Sequence, residues 1–253
     1  MALKEKLKNR QLTIGSWVTI GHPGVAEIMA RAGFDWLTVD MEHSSLTLSQ
    51  AEELIRVIDL CGVTPLVRVN ENDPNVIKQV MDIGAHGVIV PLVNSREDAE
   101  KAVAEVKYPP IGTRGVGLAR AQHYSLDFES YKKWNQENSV VIALIEHIDA
   151  VKNLEAIMSV KGVDAFIVGP YDLSGSLGCP GDFDNPKVKE ALEMIYRKAK
   201  SKNYLIGQHV VDPDPRVVKD KIKGGFKFIG FGTDFLFLNV FCNKSLAEIR
   251  KSI

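Results

Sequence analysis

One pattern constrains this chain more than any other: a short β-branched apolar run, a turn, then a segment of helical period, repeated from end to end. Candidate strands fall at residues 13–18, 36–39, 65–69, 87–92, 140–145, 165–168, 205–210 and 226–230. Most lack strict alternation, as in Val140-Val-Ile-Ala-Leu-Ile145, which marks parallel strands covered on both faces. Segments 25–32, 48–61, 74–83, 96–106, 150–158, 186–202, 214–223 and 234–251 carry helical spacing. Eight strands alternating with eight helices in 253 residues is the count of a (β/α)8, or TIM, barrel. A doubly wound sheet would also alternate, but no G-x-G-x-x-G follows the first strand. The expectation is one α/β barrel domain over residues 1–253, since no linker, low-complexity stretch or compositional shift divides it.

Local punctuation agrees with the pattern. Asp73-Pro74 and Asn185-Pro186 each set an acceptor before a proline suited to a first helical turn. Thr47-Leu-Ser-Gln50 and Ser95-Arg-Glu-Asp98 are polar helix starts, and Gly33, Gly62, Gly84 and Gly224-Gly225 mark helix ends. Residues 108–138 break the rhythm; rich in Gly, Arg and aromatics, they read as an elaborated loop over the site.

Composition narrows the class of partner. With 31 Lys+Arg against 32 Asp+Glu the net charge is −1, without the basic excess of a nucleic-acid or membrane-surface binder. Cys61, Cys179 and Cys242 are odd in number and far apart, so they read as free thiols in a reducing compartment. The lysine-rich residues 1–10 precede no apolar leader, and no apolar run approaches the roughly 20 residues of a membrane helix. A cytoplasmic protein is expected.

In such a barrel the chemistry sits at the C-terminal ends of the strands. There the second strand runs into Asp40-Met-Glu42-His43, the third carries Arg68, the fifth ends on Glu146-His147 and the sixth on Gly169-Pro170-Tyr171-Asp172. Taken singly, Asp40 or Glu42 reads as the start of a solvated loop more often than as a functional group. Arg68 differs, because a charge inside an apolar strand needs a carboxylate or an anionic ligand. Glu146, after six apolar residues, has the same need. Glu146 and Asp172 favour a hard divalent cation such as Mg2+, Mn2+ or Co2+, held by oxygen and water, with positions left for a 2-oxo acid. Arg68 would share the oxygens of that acid through its planar fork. His43 is the natural proton carrier, imidazole being the side chain that titrates near neutrality, though a histidine beside carboxylates is as readily a structural ion-pair member.

Several motifs in order make a resemblance: Ala32-Gly-Phe-Asp-Trp-Leu37 leading into Asp40-Met-Glu-His43, then Val67-Arg68 and Asn72-Asp73-Pro74. Tyr108-Pro-Pro-Ile-Gly-Thr-Arg-Gly-Val-Gly117, Leu144-Ile-Glu146 and Gly169-Pro-Tyr-Asp-Leu-Ser174 follow. From about Gly15 to the last helix the chain resembles the HpcH/HpaI aldolases, metal-dependent class II pyruvate aldolases. The resemblance implies metal ligands at Glu146 and Asp172, a substrate-stabilising arginine at Arg68, and a general base at His43 paired with Asp82. It also implies Asp40 and Glu42 around that centre, with Gly169, Pro170 and Asp172 against the substrate. Asp82 by itself reads as a helix-end surface residue. The implied reaction is reversible cleavage of a 4-hydroxy-2-oxo acid to pyruvate, or a similar 2-oxo acid, and an aldehyde. The implied assembly is a homo-oligomer, commonly a hexamer built as a trimer of dimers or dimer of trimers, with the last helix swapped between subunits. An apolar last helix could instead dock on its own barrel.

Departures fall in the first loop, Thr19-Ile-Gly-His-Pro-Gly24, where the family carries a serine-rich run, and beyond Ala119-Arg-Ala121. They bear on the aldehyde, and His22 reads as a contact to the aldehyde half or, more readily, as a plain loop histidine. A lysine Schiff-base aldolase finds no lysine in the fifth or sixth strand, and Lys227 sits at a strand start. An acyl-thioester lyase would need a basic groove for coenzyme A, of which no cluster is visible. A non-catalytic binding barrel would not need His43, Arg68, Glu146 and Asp172 together.

Overall fold

A computed structural model describes residues 1–251. Its eight strands are β1 (Thr13–Val18), β2 (Trp36–Asp40), β3 (Thr64–Arg68), β4 (Gly87–Val90), β5 (Val140–Ile145), β6 (Ala165–Val168), β7 (Ile206–Val210) and β8 (Phe228–Thr233). They pair in parallel in sequence order and β8 closes on β1, giving the expected (β/α)8 barrel. Around it lie α1 (Leu3–Lys8), α2 (Pro23–Arg31), α3 (Leu48–Leu60), α4 (Pro74–Asp82), α5 (Arg96–Val106) and α6 (Phe128–Asn138). They are followed by α7 (Ile148–Lys152), α8 (Leu154–Met158), α9 (Pro170–Ser176), α10 (Pro186–Lys202), α11 (Pro215–Lys223) and α12 (Asp234–Lys251). The caps read from sequence are made: Thr47 and Ser95 close capping boxes on α3 and α5, and Asp73 accepts from Asn75 N and Val76 N.

Each strand sends alternate side chains to opposite sides of the barrel wall. One set, including Val18, Leu37, Val67, Val88, Val141 and Phe166, packs under the helices. The other fills the barrel interior with Trp17, Trp36, Leu66, Ile89, Ile142, Ile167 and Phe228. Gly15 and Gly230 make room for this interior: a Cβ on either would meet the ring of Trp36 at 2.0 Å or of Trp17 at 2.2 Å.

Four local differences from the sequence reading have identifiable causes. Residues 3–8, read only as a polar run, form α1; Leu3 and Leu7, one turn apart, join the interior cluster while Lys4 and Lys6 pair with Asp164 and Asp35. Segment 150–158 divides into α7 and α8 around Asn153, whose side chain donates to Asn94 O at 2.8 Å. Residues 108–138 do not cover the site. They connect α5 to β5, which puts them at the N-terminal end of the barrel, and they contain α6. The last helix is held to its own barrel at its start. The N-terminus of α12 is latched by Asp234, whose carboxylate accepts from Thr19 N, Thr19 Oγ1 and Ile20 N, each at 2.7 Å. Beyond Phe237 the helix stands almost wholly in the open, with Leu238, Phe241, Leu246 and Ile249 exposed.

Candidate active site

At the C-terminal mouth, the inward positions of the alternating pattern end on Trp17 in β1, Asp40 in β2, Arg68 in β3 and His209 in β7. Glu146 and Gly169 continue the inward sets of β5 and β6 by one residue. Asp40 and Arg68 are register partners on neighbouring strands. That register lets Arg68 donate from Nε (3.0 Å) and Nη2 (2.6 Å) to the two oxygens of Asp40, while Nη1 lies 3.2 Å from Glu42 Oε2. Asp40 also accepts from the backbone N–H groups of Glu42 and His43. The guanidinium is largely buried, and Asp40 with Glu42 and Glu146 more than offsets the cost of that burial, so its pKa is raised. Asp40 therefore fixes the fork and the turn behind it. The resemblance implies Asp40 around the metal centre; the strand register makes it the orienting partner of Arg68.

Glu146 is buried, 3% exposed, and its Oε1 accepts from Leu92 N at 2.8 Å. Leu92 has φ +50°, a left-handed geometry unusual for a non-glycine residue. The other oxygen points at Gly169, where a Cβ would come within 2.8 Å of it. Burial, together with the charges of Glu42 and Asp172, pushes Glu146 up to about 7 against the pull of the Leu92 N–H and Arg68. Glu42 is raised by burial as well, and its Oε2 has no hydrogen-bond partner despite the nearby guanidinium. Asp40, Glu42 and Glu146 thus share a single guanidinium, and the exposed Asp172 lies close enough for its charge to act on Glu42 and Glu146. Among the described residues no group of three or more His, Cys, Asp and Glu side chains has the spacing of a closed metal site. The donor set instead fits a hard cation held by two carboxylates, Glu146 and Asp172, with water and substrate completing its shell.

The other sequence-predicted residues divide. His43 is at the mouth, its Nε2 3.8 Å from Glu42 Oε2 and its side chain 59% exposed. Gly169 and Pro170 open α9 and bring Asp172 into its first turn. Asp82 is elsewhere. Helix α4 starts near the mouth and returns to the opposite end of the barrel, where Asp82 accepts from Arg114 Nη2 at 2.5 Å. The expected His43–Asp82 pair is not made within one chain. His22 caps α2 through Nδ1, accepting from Gly24 N at 3.1 Å. The residue that the sequence reading passed over is His209; its signal was the inward set Leu205, Gly207, His209, legible once β7 is known to face the interior on those positions. A separate hollow of about 700 Å³, lined by Arg56, Asp59, His86, Arg120, Tyr131 and Trp134 among others, lies near the opposite end and holds none of these carboxylates.

A parallel barrel with its polar groups gathered at the C-terminal mouth defines an enzyme of the TIM-barrel class. Residues 13–239 match the HpcH/HpaI aldolase/citrate lyase family. The chain is 33% identical over 249 residues to the 2-keto-3-deoxy-L-rhamnonate aldolase of Klebsiella pneumoniae, covering 98% of this chain and 92% of that one. It is 32% identical over 231 residues to the 5-keto-4-deoxy-D-glucarate aldolase of Escherichia coli, covering 91% and 90%. The crystal structure of an HpcH/HpaI aldolase/citrate lyase family protein from Burkholderia cenocepacia superposes with a TM-score of 0.92 at 29% identity over 98% of both chains. The chain belongs to the HpcH/HpaI aldolase/citrate lyase family and is a carbon–carbon lyase of aldolase type. Aldolases of this family generally depend on a divalent metal and act on small molecules.

Proposed function

We propose that this enzyme cleaves a 4-hydroxy-2-oxo acid reversibly to pyruvate, or a near 2-oxo acid, and an aldehyde. The observation that supports the reading most is Arg68, locked by Asp40 so that Nη1 faces a carboxylate-rich mouth. Relatives named for keto-deoxy sugar acids favour a hydroxylated aldehyde half. Glu146 and Asp172 would hold Mg2+, Mn2+ or Co2+, which when bound supplies Lewis acidity at the 2-oxo oxygen.

The chain's own groups account for the rest. His43 removes the proton of the C4 hydroxyl; the C3–C4 bond breaks, the aldehyde leaves, and the electron pair is left as an enolate over C2 and C3. The guanidinium of Arg68, already oriented, stabilises the enolate oxygen, and C3 then takes up a proton to give the 2-oxo acid. Gly169 and Pro170 leave open the space beside Glu146 where the short acid lies.

His43 and Asp82 sit at opposite ends of the barrel, so a His43–Asp82 pair requires the aspartate of a second copy. The exposed apolar side of α12 supports the same assembly, a homo-oligomer with that helix exchanged, of hexameric type. Among the described residues no helix is long and apolar enough to cross a membrane. Three free cysteines suit the cytoplasm. The test is a coupled pyruvate-release assay on a panel of 4-hydroxy-2-oxo acids, before and after chelation. Release that stops with chelator and returns with Mn2+ is expected; release that survives complete metal removal sinks the mechanism. If no acid in the panel is cleaved, acyl-thioester substrates become the next assay.

A further inference from the structure

The ion pair between Asp82 and Arg114 is built unlike the one between Asp40 and Arg68. The side chain of Arg114 is 0% exposed. Its guanidinium carbon lies 4.7 Å from the centroid of the Tyr108 ring and 5.5 Å from that of Tyr131, and two aromatic faces suit a desolvated cation. Nη1 donates to Tyr131 Oη at 3.0 Å, and Tyr131 Oη donates in turn to Met81 O at 3.4 Å. Tyr108 is itself fixed, its hydroxyl accepting from Gln122 Nε2 at 2.9 Å. The guanidinium is thus caged on its own account. Its contact with the anion is end-on: Nη2 donates to Asp82 Oδ1 at 2.5 Å, and Nε is buried without a partner.

A guanidinium fork and a carboxylate ordinarily close two parallel bonds, as Arg68 and Asp40 do. The single contact leaves a buried donor unmet, which burial penalises, and it leaves Asp82 Oδ2 free. Oδ2 accepts from no group among the described residues and is not enclosed, the side chain being 18% exposed. Gly117 keeps it clear: a Cβ there would lie 2.9 Å from Oδ2. On either side of Gly117 the chain exposes Val116 and Leu118. An unpaired carboxylate oxygen set between exposed apolar side chains fits a surface that another copy of the chain covers.

We propose that Arg114 is a positioning residue for the aldol step: caged by Tyr108 and Tyr131, it grips Oδ1 of Asp82 so that Oδ2, beside Gly117, is the oxygen offered to the imidazole of His43 in a second copy. The inference rests on the reading that pairs His43 with the Asp82 of another copy, and adds the groups that aim that carboxylate. Arg114 touches neither substrate nor metal. With one imidazole N–H donated to Oδ2, the other ring nitrogen of His43 is free to take the proton of the C4 hydroxyl. The carboxylate, still ionised, stabilises the imidazolium that results.

The test compares two reactions of the Mn2+-loaded enzyme. Cleavage of the 4-hydroxy-2-oxo acid that wild type handles best requires loss of the hydroxyl proton. Decarboxylation of oxaloacetate, corrected for Mn2+ alone, reaches the same enolate without that step: the C3–C4 bond breaks, CO2 leaves, and C3 takes up a proton. The ratio of the two kcat/KM values therefore separates the His43 step from folding, assembly and enolate stabilisation. Arg114→Met should lower the ratio about 100-fold, the effect of misplacing a reacting group by about 1 Å. In an Asp82→Asn background the same substitution should lower it no further, because a residue that acts through Asp82 then has nothing to aim. Gly117→Ala, between two exposed residues and clear of the aromatic cage, should also lower the ratio by displacing Oδ2, and it decides the matter if Arg114→Met does not fold. A merely structural Arg114 reduces both reactions together. A ratio that either variant leaves unmoved, or losses that multiply with Asp82→Asn, overturns the assignment alone. A wild type that cleaves no hydroxy acid of the panel, whether or not it decarboxylates oxaloacetate, defeats the aldolase reading and this assignment with it.

Discussion

Arg68 carries its function in its surroundings. The chain around it, Leu66-Val67 before and Val69 after, is buried and apolar, so the guanidinium had to find an anion, and Asp40 across the β2–β3 register is that anion. Arg68→Ala should lower kcat/KM about 100- to 1000-fold, the usual effect of removing one stabiliser of transition-state charge. Arg68→Lys should recover little, because an ammonium cannot grip both oxygens of Asp40 and still present a donor to the substrate. Steady-state kinetics on the 2-oxo acid panel checks both. Gly169 makes a second, quieter prediction. The Cβ of Gly169→Ala would sit 2.8 Å from Glu146 Oε2 and force the carboxylate to turn. Misplacement on that scale should cost about 100-fold in activity, while a melt should show the fold intact; unchanged activity would mean Glu146 does not need its observed orientation.

Among the elements, α5 holds an uncompensated charge. Glu105 is buried, 6% exposed; its Oε2 has no partner and Lys101 Nζ stops 3.7 Å from the other oxygen. Burial lifts Glu105 from 4.5 to about 7, with Asp73 helping and Lys101 opposing. A carboxyl whose pKa is raised on folding binds its proton more tightly in the native state. Its contribution is thus fully present below 4.5 and lost as pH rises through about 7. Glu105→Gln should therefore be more stable than wild type at pH 8, by about 1 kcal/mol or roughly 2–4 °C in Tm, with the gap closing toward pH 5. A gap that is constant with pH would show that the charge is not the cause. Helices α1 and α12 show how an element's role escapes its own composition. The lysines of α1 make it look like solvated chain, yet Leu3 and Leu7 enter the barrel interior. The apolar residues of α12 look like core, yet Leu238, Val240, Phe241 and Leu246 are exposed on their own barrel.

At the scale of the whole molecule, the separation of His43 from Asp82 is the feature with most consequence. If a second copy brings its Asp82 to His43, then His43→Ala and Asp82→Ala proteins, each inactive alone, should recover activity when unfolded and refolded together. The ceiling is about one quarter of wild type for random pairing, since only sites with both groups intact work. No recovery, from subunits shown by light scattering to have mixed, would remove Asp82 from the catalytic machinery and leave it as the partner of Arg114.

The sequence by itself determined the barrel, because strand length, helix period, caps and turn glycines are local properties that eight repeats state eight times. It also marked Arg68 and Glu146 as charges in need of a partner, because a charge flanked by apolar residues has few physical explanations, and Asp40 and the Leu92 N–H are those partners. Tertiary structure alone decided the rest. Which alternate residues of β7 face inward depends on closure of the barrel, and only closure turns His209 toward Trp17 and Arg68. Which end of a helix a residue occupies is legible, but which partner waits there is set by the neighbouring segment, so Asp82 met Arg114 and residues 108–138 packed at the end away from the mouth. The net charge of −1 is an average over the chain; the crowding of Asp40, Glu42 and Glu146 around one guanidinium exists only because strands far apart in sequence are brought to one rim.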